Sequence, residues 1–118
     1  MTNEESGPDI SRPISEIKAE LFKALAHPAR IRILEVLSDG ERSVGDLQPL
    51  VGIEASHLSQ QLAVLRRARL VTSRKDGASV IYAVKDELVV ELLRVAKGLL
   101  INSLAETSDL LADLRGAV

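Results

Sequence analysis

Between Ile53 and Leu70 the chain reads IEASHLSQQLAVLRRARL, and its polar residues are of two chemical kinds. Ser56, Ser59 and Gln60 carry short groups that donate and accept hydrogen bonds, which suits the edges of base pairs. Arg66 and Arg67 follow two turns later with guanidiniums that suit phosphate oxygens. At about 100° per residue, Leu58, Leu62 and Leu65 stack on one face of a helix. Ser56, Gln60, Ala63 and Arg67 point the other way, flanked by Ser59 and Arg66. This is the pattern of a helix that reads DNA: Ser56, Ser59 and Gln60 for bases, Arg66 and Arg67 for the backbone. The bland alternative is an amphipathic helix with a solvated polar face, and this stretch alone does not separate the two. His57 lies beside the polar face and is assigned a backbone contact, with a solvated side chain as its alternative.

Other chemistries find little support. The chain has no cysteine, so disulfides, thiolate metal sites and cysteine nucleophiles are all excluded. No Gly-rich phosphate loop occurs, and Ser56 and His57, adjacent on a helix, diverge by about 100° and cannot act as a nucleophile and its base. His27, the only other histidine, sits at a helix junction and reads as a capping or packing residue. The expectation is a protein that is not an enzyme, with no catalytic residue, cofactor or metal ligand.

The elements that must hold the polar helix can be read outward from it. At 118 residues the chain suits one domain with one modest core. Apolar residues make up 46% but aromatics only 2%, so the core is aliphatic and no platform exists for stacking unpaired bases. Residues 1–13 are polar, with Pro8 and Pro13, and are expected to be a disordered tail ahead of a single unit spanning 14–118. Ile14, Ile17, Leu21, Phe22 and Leu25 form the stripe of a first helix, with Ser15 as its candidate cap. Pro28 then suits the first position of a second helix, roughly 29–37, that buries Ile31, Leu34 and Leu37 and ends toward a left-handed Gly40. Arg30 and Glu35 face outward or pair. Ser43 and Asp46 resemble a short capping box for a third helix. Pro49 inside it predicts a kink or a short helix. Gly52 closes that helix, and the polar helix begins after a tight turn, capped at either Glu54 or Ser56. Two short helices joined through a Gly-containing turn are the pattern of a helix-turn-helix.

After Leu70 the period changes. Residues 70–74 and 80–84 are β-prone and flank Asp76-Gly77, which predicts a hairpin with a type I′ turn and Arg74 and Lys75 at its tip. A helix-turn-helix followed by such a hairpin is a winged helix. From Asp86 the chain is helical to its end, and one long helix is expected. Its apolar arc is too wide for a monomer's surface, while Glu91, Arg94 and Lys97 interrupt it too often for a membrane span. A second copy is the simplest cover.

Charge agrees with this division. Although the net charge is −2, residues 55–85 hold Arg66, Arg67, Arg69, Arg74, Lys75 and Lys85 against the single acid Asp76, a net +5. The remainder therefore carries −7. A basic face on an acidic body can bind phosphate, because the local field outweighs the total.

In its order of elements, and in the strings LAHPARIRIL (25–34) and SHLSQQLAVLRRARLV (56–71), the chain resembles the ArsR/SmtB family of bacterial winged-helix repressors. The likeness covers residues 15 to about 105. It implies a mainly α fold with a small β-hairpin, dimerised through the first and last helices, with Ile17, Leu21, Leu92, Leu93, Leu99 and Leu100 in the interface. It also implies a recognition helix in the major groove of an inverted-repeat operator. The hairpin would lie on the flanking backbone, with Arg66, Arg67, Arg74 and Lys75 as phosphate contacts. Partners are then double-stranded DNA, a second copy, and an unidentified small-molecule or protein effector, in the cytoplasm and away from membranes. The chain departs from the family at Gln61, where a histidine is frequent, and at Arg69, where glycine often precedes the wing. The family's metal-sensing members use cysteines on the third helix or histidines with carboxylates on the last. Neither set is present, so a metal-independent input is expected. The alternative function is a winged-helix protein-interaction module without DNA binding.

Overall fold

A computed structural model describes residues 11–116. The elements run α1 (Ile14–Leu25), α2 (Pro28–Ser38), β1 (Arg42–Ser43), α3 (Val44–Val51), α4 (Ala55–Arg67), β2 (Val71–Asp76), β3 (Ser79–Val84) and α5 (Glu87–Gly116). The expectation of a tail over 1–13 falls mainly on residues outside that range. Arg12, which is described, pairs with Glu20 at 2.6 Å and with Glu16 at 3.7 Å on α1.

The core forms where apolar faces of all five helices meet the small sheet. Ile33, Leu34, Leu47, Leu58, Leu62 and Leu65 are fully buried, contributed by α2, α3 and α4. Leu70 and Val71 close it below the sheet, and Val89 closes it from α5. The second helix is deeper than its expected stripe. Ala29, Ile33 and Val36 are buried along with Leu34 and Leu37, while Ile31 is only half-buried.

Local signals set most helix ends. Pro28 occupies the first turn of α2, and His27 caps it: the Ala29 N–H donates to His27 Nδ1 at 3.1 Å. The Asp46 N–H donates to Ser43 Oγ at 3.1 Å and starts α3. With Pro49 inside it, α3 stops after eight residues, and Gly52 at φ 80° turns the chain left-handed toward α4. Two expected ends differ, and a third is decided between its two alternatives. Helix α1 starts from Pro13 rather than Ser15, because proline's extended backbone lets the carbonyl of Pro13 accept from Glu16 and Ile17. Helix α2 ends at Asp39, and Gly40 sits at φ 141°, outside the left-handed helical region. For α4 the cap is Glu54, which contributes its carbonyl and no side-chain bond.

The sheet order is β1-β3-β2, antiparallel throughout. Strand β1, two residues just before α3, pairs Arg42 with Tyr82 and was not expected from the sequence. The hairpin is shifted by one residue from its expected centre. Asp76 pairs with Ser79, so Gly77 and Ala78 form the loop. Gly77 has φ 62°, whereas Ala78 is not among the residues with positive φ. A single positive φ at the first central position is the requirement of a II′-like turn, not of type I′. Residues Arg74 and Lys75 sit at the end of β2 next to this tip.

Helix α5 is continuous over 30 residues, about 45 Å, straight through Thr107-Ser108-Asp109. Thr107 Oγ1 donates back to the Ser103 carbonyl at 2.9 Å, so the hydroxyl is absorbed within the helix. Only its first turns meet the body. Every residue from Leu99 to Gly116 is exposed. The radius of gyration, 18.3 Å, exceeds the ~13.5 Å of a compact chain of this length because this helix projects.

Candidate nucleic-acid interface

Helix α4 owes its orientation to its buried side. Leu58, Leu62 and Leu65 are fully buried, and Gln61 joins them as the one buried polar residue among those described. That fixes what points outward: Ser56, Ser59, Gln60, Arg66 and Arg67 are all exposed, and Ala63 is half-buried between them. Ser56, Gln60, Ala63 and Arg67 fall within about 60° of one another around the axis, so they make one continuous strip. The small Ala63 leaves its middle low, which lets a nucleic-acid edge approach closely. Arg66 lies about 80° away from this strip, on the side of the hairpin.

Gln61 is held from behind. Arg30 donates from Nη1 to Gln61 Oε1 at 3.0 Å, from Nε to the Ala24 carbonyl at 2.7 Å and from Nη2 to the Lys23 carbonyl at 3.1 Å. One guanidinium therefore caps the last turn of α1 and anchors the buried amide of α4. Periodicity marked Arg30 as outward or paired. Its partner 31 residues away carries no local signal. His57 leaves the polar strip altogether and packs edge-on against His27, with ring centroids 5.8 Å apart. Half-buried in that contact, it is set back from the positions of Ser56 and Gln60.

Helix α4 ends in a Schellman turn. The Leu70 N–H donates to the Leu65 carbonyl at 2.9 Å and the Arg69 N–H to the Arg66 carbonyl at 3.0 Å. Arg69 takes the left-handed position at φ 62°, the only non-glycine among the described residues to do so. The turn delivers the chain directly into β2. At the far end of that strand, Arg74 Nη2 lies 2.7 Å from Glu41 Oε1 and Nη1 lies 4.0 Å from Asp76 Oδ2. Both partners are exposed, so this pairing is weak and a phosphate can compete for the guanidinium. Lys75 is exposed beside it. The cations expected to meet DNA thus fall in three places: Arg67 on the helix strip, Arg66 exposed on the hairpin side of α4, and Arg74 with Lys75 near the hairpin tip.

The expected dimer residues are distributed unevenly. Leu92 and Leu93 already pack partly against the protomer's own core, and Ile17 is half-buried. Leu99 and Leu100 are each 65% exposed, and Phe22 on α1 is 56% exposed. Among the described residues no group of three or more His, Cys, Asp or Glu is placed to hold a metal ion, and no helix is long and apolar enough to cross a membrane.

A family model described as bacterial regulatory protein, arsR family, matches residues 27–73, which span α2 to the start of β2. The HTH-type transcriptional regulator Rv0081 of Mycobacterium tuberculosis is 52% identical over 106 residues, covering 89% of this chain and 93% of its own. Its crystal structure superposes with a TM-score of 0.77, covering 82% of this chain and 98% of that one. The biofilm growth-associated repressor of Agrobacterium fabrum is 37% identical, over 73% of each chain. The solution structure of the homodimeric winged helix-turn-helix DNA-binding domain of Mb0332 from Mycobacterium bovis is 26% identical and matches with a TM-score of 0.74, covering 86% of this chain and 94% of that one.

Proposed function

The chain belongs to the arsR family of bacterial regulatory proteins, and from that premise we propose that it works as a dimeric repressor in the cytoplasm, reading an inverted-repeat operator and answering to a signal other than a metal. The observation that carries this reading is the exposed strip of α4. Ser56, Ser59 and Gln60 offer hydrogen bonds at its N-terminal end and Arg67 offers charge at the other, on a helix pinned by three buried leucines. Each protomer sets its α4 into a major groove. Gln60 has the reach for a bidentate contact to adenine, the serines fit either base edge, and Arg67 takes a backbone phosphate. Lys75 and Arg74 near the hairpin tip lie on the flanking backbone.

Dimerisation follows from the apolar surface left open on α1 and α5, where Phe22, Leu99 and Leu100 are exposed in the protomer. Two copies related by a two-fold axis present two reading helices, which is why the operator is taken to be an inverted repeat. Repression is supported by the likeness to the Agrobacterium relative, a biofilm growth-associated repressor. A metal-independent input is supported by the chemistry of the chain, which has no cysteine and no histidine on α5.

A gel shift with purified protein and the DNA upstream of its own gene tests this reading. A discrete complex that survives excess unrelated duplex is expected. Exposed leucines along α5 also suit a protein-docking module, the second reading. Under that reading no DNA complex forms, and the cations on both α4 and the hairpin have no task.

A further inference from the structure

On the outer face of the small sheet, a cation expected to meet DNA already has an acidic partner. Arg74 of β2 pairs in register with Ile81 of β3, and Ile81 pairs on its other side with Ser43 of β1. Side chains alternate along a strand, so Arg74, Asp76, Ile81 and Ser43 share one face while Lys75 lies on the other. Glu41, two positions before Ser43, falls on the face of Ser43 and Arg74. Strands β1 and β2 flank β3 and so stand about 10 Å apart, a gap that an arginine and a glutamate can close by reaching toward each other. They do close it: Arg74 Nη2 donates to Glu41 Oε1 at 2.7 Å.

A second carboxylate flanks the same guanidinium, with Asp76 Oδ2 4.0 Å from Nη1. One cation thus stands between two acids, and the face is net negative. Arg42, the cation next to Glu41 in the chain, does not relieve it, because its Nη1 donates to the Glu41 carbonyl at 3.3 Å. In this state the face offers a phosphate no net attraction. Arg74 has two alternative partners, the Glu41 carboxylate and a backbone phosphate. The pair with Glu41 is exposed and weak, so a phosphate held in fixed geometry displaces it, whereas the diffuse charge of a loosely held duplex does not.

We propose that Glu41 is a specificity-determining residue that keeps Arg74 out of non-specific complexes. This assignment rests on the DNA reading proposed above and adds to it a discriminator outside the reading helix. On unrelated duplex, α4 is not seated and no phosphate is placed at the hairpin, so Arg74 stays on Glu41 and contributes no net charge. On the operator, the seated α4 fixes the hairpin against the flanking backbone, a phosphate replaces Glu41, and Arg74 joins the contact. Non-specific binding is almost entirely electrostatic, so withholding one cation per protomer there raises the ratio of operator to background affinity.

The test compares the full-length wild type with Glu41→Gln, Arg74→Gln and the double variant, each titrated with operator and with unrelated duplex across a salt series. Both side chains are more than half exposed, so none of these changes touches the core. Glu41→Gln is expected to tighten non-specific binding about three- to tenfold and to steepen its salt slope by about two per dimer, with operator affinity rising less. Arg74→Gln is expected to make the operator slope shallower by about two per dimer and to leave the non-specific slope as it was. In the Arg74→Gln background, Glu41→Gln then has no further effect. An equal gain on both duplexes, no gain on either, or a gain that persists without Arg74 overturns the assignment, the last because it marks general repulsion of DNA by a carboxylate. Unchanged discrimination in a protein that binds its operator removes Glu41 alone. A wild type that binds no duplex at all removes the DNA reading, and the discriminator with it.

Discussion

At the scale of single residues, the proposed function assigns sequence reading and general adhesion to different side chains on the exposed strip of α4. Gln60→Ala removes a two-point hydrogen-bonding group from an exposed position, so the fold is untouched. It is expected to relax preference at one or two base pairs by about 1–3 kcal/mol, measured by competition among operator variants. Arg67→Ala removes only charge. It is expected to weaken binding to every sequence alike and to make the salt slope shallower by about two per dimer. Equal loss of preference in both variants would erase that division of labour. The strip itself was readable from periodicity, since the three leucines fix the helix's rotation. The packing of His57 was not, because its ring partner His27 is 30 positions away in the chain.

At the scale of elements, the turn that ends α4 and the guanidinium behind it set how the reading helix is presented. Arg69→Gly relieves the left-handed strain and is expected to stabilise the protein by about 1 kcal/mol, read from chemical denaturation. No gain, or a loss, would mean that Arg69's own contacts outweigh the strain. Arg30→Met keeps the stem but abandons the Gln61 amide and the α1 carbonyls. It is expected to cost about 1–3 kcal/mol and to weaken operator binding beyond what the lost stability explains. Element order, helix types and the wing were legible because each rests on local chemistry: Pro28 and His27, Ser43 with Asp46, Pro49, Gly52, and a Gly-containing hairpin. What escaped was non-local or degenerate. Strand β1 is two residues long and exists only because β3 offers its edge to Arg42 and Ser43. The hairpin centre moved by one because Asp76-Gly77 and Gly77-Ala78 both place a glycine in the loop, and strand register decides between them. Even so, the departure at Arg69, where glycine often precedes the wing, falls on a left-handed position.

At the scale of the whole molecule, the proposed function calls for two copies, because one short reading helix would cover one half-site. The distal half of α5 projects from the body with Leu100, Leu104, Leu111 and Leu114 all exposed, at alternating spacings that keep them along one side. Leu100→Glu combined with Leu104→Glu is expected to yield a monomer by analytical ultracentrifugation while leaving the helical circular dichroism largely intact. A dimer of undiminished stability in that variant would remove α5 from the interface. The central claim, that this dimer grips DNA through cations on α4 and the hairpin, is tested most directly by operator affinity across a salt series. With about four phosphate contacts per protomer, log affinity is expected to fall against log salt with a slope near about −7. A slope near zero on the protein's own upstream DNA, or no binding at any salt, would contradict it.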